Sequence, residues 1–112
     1  MWGWDLCRNP WPSSALDAAS MFHQDIVPEL RRLLASDDAD SVVLLLPPAD
    51  HVHAAWRLAA IQGLAREAAP LRVNAIVGDA GPGVDEAIAF LADAPGVTGQ
   101  ILVVDGNPGA KG

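Results

Sequence analysis

Apolar residues recur along the chain with two different periods. Ala19, Phe22, Ile26, Leu30 and Leu33 repeat at intervals of three and four, which predicts one apolar face on a helix running from Ser13 or Ser14, either of which can cap it, to about Ala35. Pro28 lies inside that span and has no N–H for the carbonyl of Gln24, so the helix is expected to kink or divide in two. Asp37, Asp38 and Asp40 mark a polar turn. The pattern then becomes the unbroken apolar run Ser41-Val42-Val43-Leu44-Leu45-Leu46, a strand of the kind buried on both faces, which Pro47-Pro48 ends.

Asp50 opens a second helix reaching about Ala69. Val52, Ala55, Trp56, Leu58, Ala59, Ile61 and Leu64 make it apolar on nearly every side, and Ala55, Ala59 and Gly63 form a stripe that admits another backbone closely. Leu71 to Val77 is the next strand, Val84 to Ala92 a short helix, and Gln100 to Val104 the last strand. This alternation predicts the α/β class, with a small parallel sheet of about three strands and helices on both faces. Residues 1–13 stand apart from residues 14–112, which read as a single domain. They hold Trp2, Trp4 and Trp11 among Gly3, Pro10 and Pro12, a mixture expected to form an irregular arm lying on an apolar surface.

Composition narrows the function. The chain has 112 residues, 51% hydrophobic and 19% charged, enough to bury one core. Its formal charge of -7 and its scattered arginines argue against nucleic acid or anionic lipid as a partner, since both demand clustered positive charge. With one cysteine, no signal-like segment and no apolar run of membrane length, a cytoplasmic location is expected. The chain has no Tyr, and its one Lys is Lys111, so any mechanism using a Tyr acid or an internal Lys is excluded.

The remaining candidate chemistry is sparse. His51 and His53 are two apart, so on a helix they diverge, and they read as solvent-facing residues behind an Asp50 cap rather than metal ligands. Cys7 beside Arg8 is the one candidate activated thiol, with no His or second Cys adjoining it. Gly81-Pro82-Gly83 is the nearest thing to a phosphate-binding turn, but Glu86 stands where a third glycine is expected.

Phe90-Leu91-Ala92-Asp93, followed by Val97-Thr98-Gly99-Gln100-Ile101-Leu102-Val103-Val104-Asp105-Gly106, resembles the C-terminal segment of short-chain dehydrogenases/reductases, especially the 3-oxoacyl carrier-protein reductases. Ala65-Arg66-Glu67-Ala68-Ala69-Pro70 leading into Arg72-Val73-Asn74-Ala75-Ile76 resembles a helix-to-strand junction of the same family. Phe22 through Val27-Pro28 to Val43 is a weaker match to its fourth helix and fifth strand. The resemblance implies a truncated Rossmann-like fold matching the second half of the family, with no counterpart of the glycine-rich first half, and no bound cofactor is expected.

The resemblance also implies where the family's catalytic residues fall. Its helix Asn lies at about Ala15 and its Ser at about Pro47. The Tyr and Lys fall on Asp50 and Ala54 in one register, or on His53 and Arg57 if the helix carries a short deletion. The proline and glycine after the sixth strand are replaced by Gly78 and Asp79. Asp50 and Ala54 preserve neither role, whereas His53 and Arg57 supply an acid and a cation. In that family the fourth and fifth helices, and the last helix with the last strand, form the subunit contacts. The expected interface residues are Phe22, Ile26, Leu30, Ala55, Trp56, Ala59, Gly63, Phe90, Ile101 and Val103. Val42 to Leu46 is expected at a sheet edge. These features imply a non-catalytic subunit that assembles with a full-length short-chain dehydrogenase/reductase or with itself. One alternative is an accessory subunit lending His53 and Arg57 to a partner's NAD(P)-dependent active site, and another is a binding module built on the Trp-rich arm.

Overall fold

The computed structural model of the chain describes residues 2–7, 11–35, 40–79 and 81–104. Arg8, Asp37, Asp38, Asp105, Gly106 and Lys111, all named above, lie outside the described residues.

Trp2–Asp5 (β1) pairs with Ser41–Leu46 (β2) from Trp2↔Val42 to Asp5↔Leu45. Strand β2 pairs with Arg72–Val77 (β3), and β3 with Ile101–Val103 (β4). All three pairings are parallel, and the order is β1-β2-β3-β4. The α/β class is as expected, but the sheet has four strands among the described residues rather than about three. The irregular arm is corrected at Trp2–Asp5, and Val42 to Leu46 is interior rather than an edge. The reason is tertiary: β2 offers a full row of backbone groups on that side, and Leu6 N–H continues the pairing onto the Leu45 carbonyl at 2.8 Å. Satisfying those groups outweighs the weak strand propensity of a Gly-containing segment.

The first helical stretch divides as Pro28 requires. Ala15–Met21 (α1) is capped by the Ser14 hydroxyl, which accepts from Asp17 N–H at 3.4 Å. A π-helical segment, Phe22–Ile26, follows, and its wider turn lets Val27 N–H reach back to the Phe22 carbonyl. Val27–Leu34 (α2) then restarts with Pro28 in its first turn, where no N–H is needed. A 3-10 turn, His51–His53, leads into Ala54–Ala68 (α3), and Pro82–Ala92 (α4) precedes β4. Asp50 sits at the start of the 3-10 turn with extended backbone, but its side chain makes no capping bond.

Alternation along β2 and β3 sorts the core into two layers. Val42, Leu44, Leu46, Val73 and Ala75 face Phe22, Ile26, Leu30, Ile61 and Leu64. Val43 and Ile76 face the other way, onto Val84 and Leu91 of α4. Each connection steps one strand in the same direction, yet α4 lies on the face opposite α2 and α3. The last crossover therefore has the opposite hand to those before it, a departure from the usual right-handed preference. No helix among the described residues is long and apolar enough to cross a membrane.

Candidate functional site

The chemistry-bearing side chains gather at the C-terminal ends of β1, β2 and β3, where α3 begins. His53 is not the solvent-facing residue expected. It is buried, its Nε2 lies 3.1 Å from the Ser13 carbonyl, and its Nδ1 accepts from Trp56 Nε1–H at 3.0 Å. Accepting at Nδ1 assigns the proton to Nε2, which donates to Ser13, so both ring nitrogens are committed. Trp56 in turn lies against Phe22 and Trp11, with ring centroids 5.6 and 6.2 Å away. Trp11 Nε1–H donates to the Leu6 carbonyl at 2.9 Å, tying the end of the N-terminal segment to the cluster. His51 remains exposed, as expected.

One helical turn further, Arg57 is 6% exposed. Its Nη1 donates to the Pro47 carbonyl at 2.8 Å, its Cζ lies 5.9 Å from the Trp56 ring centroid, and its Nε is enclosed without a partner. Burial draws the guanidinium below its ordinary pKa. Cys7, at the end of β1, has its Sγ 4.0 Å from the Leu45 carbonyl and 3.9 Å from that of Gly78. Burial, with Asp5 and Asp79 adding to it against the opposing pull of Arg57, pushes the thiol up to about 11. At neutral pH Cys7 is therefore a protonated thiol, not the activated nucleophile that a neighbouring Arg8 suggests. Beside this cluster lies a cleft of about 540 Å³ between α3 and β4, lined by His53, Ala54, Arg57, Leu58, Ile101 and Val103 among others. No group of three metal-ligating side chains occurs among the described residues.

The junction before β3 has a structural explanation. Arg72 Nη1 donates to the carbonyls of Leu91 and Ala94, at 3.2 and 2.9 Å, closing the end of α4. The buried Asn74 amide donates to the Val97 carbonyl and accepts from Gln100 N–H, both at 3.0 Å, and so fixes the loop that delivers β4. Gly99 gives that loop its one positive φ, +74°, among the described residues. A family model described as "Short chain dehydrogenase-like protein" matches residues 8–104, which span these elements. The chain belongs to this short chain dehydrogenase-like family. No curated protein and no solved structure matches it.

Within the short chain dehydrogenase-like chain, the implied catalytic positions 50, 53, 54 and 57 line one cleft, and Arg57 bonds to the residue at 47. Pro47 offers only its carbonyl, and Arg57 occupies that carbonyl. Ala15 lies at the first turn of α1, Asp50 and Ala54 are exposed, and His53 has no nitrogen free to protonate a substrate. Nor does the turn around Gly81 and Gly83 fit a dinucleotide's phosphates. A Cβ on Gly83 would approach Val104 Cγ1 to 2.8 Å, so this glycine lets α4 pack closely on the strand end rather than opening a phosphate cradle. Exposed Glu86 adds a negative charge beside it.

The expected interface residues divide into two groups. Phe22, Ile26 and Leu30 are corrected: they are buried in the chain's own core, because the face of α1 and α2 that carries them closes on β2 and α3. Ala55 and Ala59 are exposed, Trp56, Gly63 and Ile101 are half-buried, and Phe90 and Val103 are 57% and 78% exposed. Reading along the sequence missed the double engagement of His53 and the burial of Arg57. The His53-to-Trp56 interval of three, which makes neighbours on a helical turn, was the signal for the first.

Proposed function

We propose that this short chain dehydrogenase-like chain is a non-catalytic subunit. It assembles with an intact short-chain dehydrogenase/reductase, stabilising or regulating it, or assembles with copies of itself through the same elements. The observation that carries this reading is the commitment of both His53 nitrogens, to Ser13 and to Trp56, at the position where an acid would be needed. Apolar surface supports it: Ala55 and Ala59 on α3, Phe90 on α4 and Val103 on β4 are left in water on the elements that the family resemblance marks as contacts.

The rival reading, in which the chain lends His53 and Arg57 to a partner's NAD(P)-dependent site, requires a free imidazole, and the hydrogen bonds of His53 weigh against it. One experiment separates the two. The complex with a catalytic dehydrogenase is assayed for reduction of a 3-oxoacyl thioester, with wild-type chain and with His53→Ala. The proposed reading predicts that any rate change follows the amount of complex formed. A specific rate per complex that collapses with His53→Ala would favour the rival.

A further inference from the structure

Arg57 is a buried charge that the described residues leave without a counter-ion. Arg31, Arg32 and Arg72 each reach a carboxylate within 4.0 Å, and Arg66 is exposed to water. Arg57, 6% exposed, reaches none among the described residues. A guanidinium carries five N–H donors. Its one hydrogen bond among the described residues goes to the neutral carbonyl of Pro47, and its Nε is enclosed without an acceptor. The nearby Cys7 thiol is protonated at neutral pH and supplies no negative charge. The Trp56 ring offers only a weak compensating quadrupole at 5.9 Å. Buried charges are costly unless paired, so the arrangement calls for an anion that the described residues do not supply.

The surroundings define that anion. Arg57 stands in the wall of the 540 Å³ cleft, a volume within the range of small-ligand sites. Leu58, Val77, Ile101 and Val103 give the rest of the wall an aliphatic surface, and Leu58 and Val103 are 40% and 78% exposed. Gln100 and the exposed His51 and Asp50 lie among the polar lining. A carboxylate at Asp50 disfavours a doubly charged group such as a phosphate ester. One cation against an aliphatic wall matches a ligand with one negative charge and an apolar tail. We propose that the cleft binds an aliphatic monocarboxylate, its carboxylate held by Arg57 and its chain lying on Leu58, Val77, Ile101 and Val103. The cleft shares Val103 with the surface proposed for assembly, so the site is defined for the chain before it joins a partner.

The test titrates the full chain, without any partner, with octanoate and separately with 1-octanol, following Trp fluorescence and heat of binding. Octanoate is expected to bind saturably and about tenfold or more tightly than the alcohol, because only the carboxylate forms a charge-assisted hydrogen bond. Arg57→Gln is expected to erase that preference, and Val103→Asp to weaken octanoate while leaving the melting temperature unchanged. Equal affinity for the two probes, absence of saturable octanoate binding, or an unchanged preference in a folded Arg57→Gln variant each overturns the proposal. The two-probe comparison is made on the wild-type chain, so it decides even if Arg57→Gln fails to fold. A negative result leaves the assembly reading untouched, because that reading is measured by the mass of a mixture with a dehydrogenase.

Discussion

The two faces of the sheet are built to different standards. On one, α1, α2 and α3 close over Val42, Leu44, Leu46, Val73 and Ala75 with Phe22, Ile26, Leu30 and Ile61, and the Trp11–Phe22–Trp56 cluster seals the end. On the other, α4 is the one described helix over Val43 and Ile76, covering them with Val84 and Leu91, and the Asn74 and Arg72 hydrogen bonds hold the flanking loop. The first face is closed by packing and the second is held by a few polar fastenings. Apolar surface that no described residue covers includes the outer side of α3 and parts of α4 and β4, besides Leu16 on α1.

The largest effect that would test this contrast is Phe22→Ala. It removes a ring buried between Trp11 and Trp56 and is expected to cost ~3–5 kcal/mol in denaturant unfolding, a large share of a small domain's stability. Leu91→Ala, on the thinner face, is expected to cost ~2–3 kcal/mol, because α4 can settle into the space more easily. An equal or greater loss than at Phe22 would erase the distinction. Asn74→Ala leaves the Val97 carbonyl and the Gln100 N–H without partners and is expected to cost ~1–3 kcal/mol. Hydrogen exchange should quicken first in residues 97–100, with β2 still protected.

Two smaller effects concern the closed face. Cys7, with a thiol pushed up to about 11, is expected to react with iodoacetamide far more slowly at pH 8 than a free cysteine peptide, and unfolding should remove the difference. The Arg31–Glu67 pair, with contacts of 2.7 and 2.8 Å, joins α2 to α3 on the exposed rim and holds the Glu67 carboxyl below its ordinary value. That contribution is present above the unfolded carboxyl's pKa and is lost as pH falls through the depressed folded value. Between wild type and Glu67→Gln the stability gap should be small and should close on acidification.

The same contrast explains which parts of the structure were legible in the sequence. The apolar period of Phe22, Ile26 and Leu30, the unbroken run Val42 to Leu46 and the break at Pro28 each express a local rule, and each element formed where its residues placed it. β1 was not legible, because Trp2–Asp5 becomes a strand only through the backbone groups β2 offers it, a partner forty residues away in the pairing Trp2↔Val42. Phe22, Ile26 and Leu30 read as contact residues because periodicity identifies an apolar face without saying what it meets. At the site, the residue types at 53 and 57 were visible, but the carbonyls of Ser13 and Pro47 that engage them were not. Such partners are fixed only when α3 docks against the ends of the strands.

The central claim is tested most directly by mass. The full chain at micromolar concentration is passed over a sizing column with multi-angle light scattering, alone and mixed with a catalytic short-chain dehydrogenase from the same cell. The account predicts an assembly larger than the single chain in at least one of the two samples. It also predicts that Ala59→Glu or Val103→Lys, both on exposed positions, reduces that assembly without lowering the melting temperature. A chain that elutes as a monomer in both samples would contradict it.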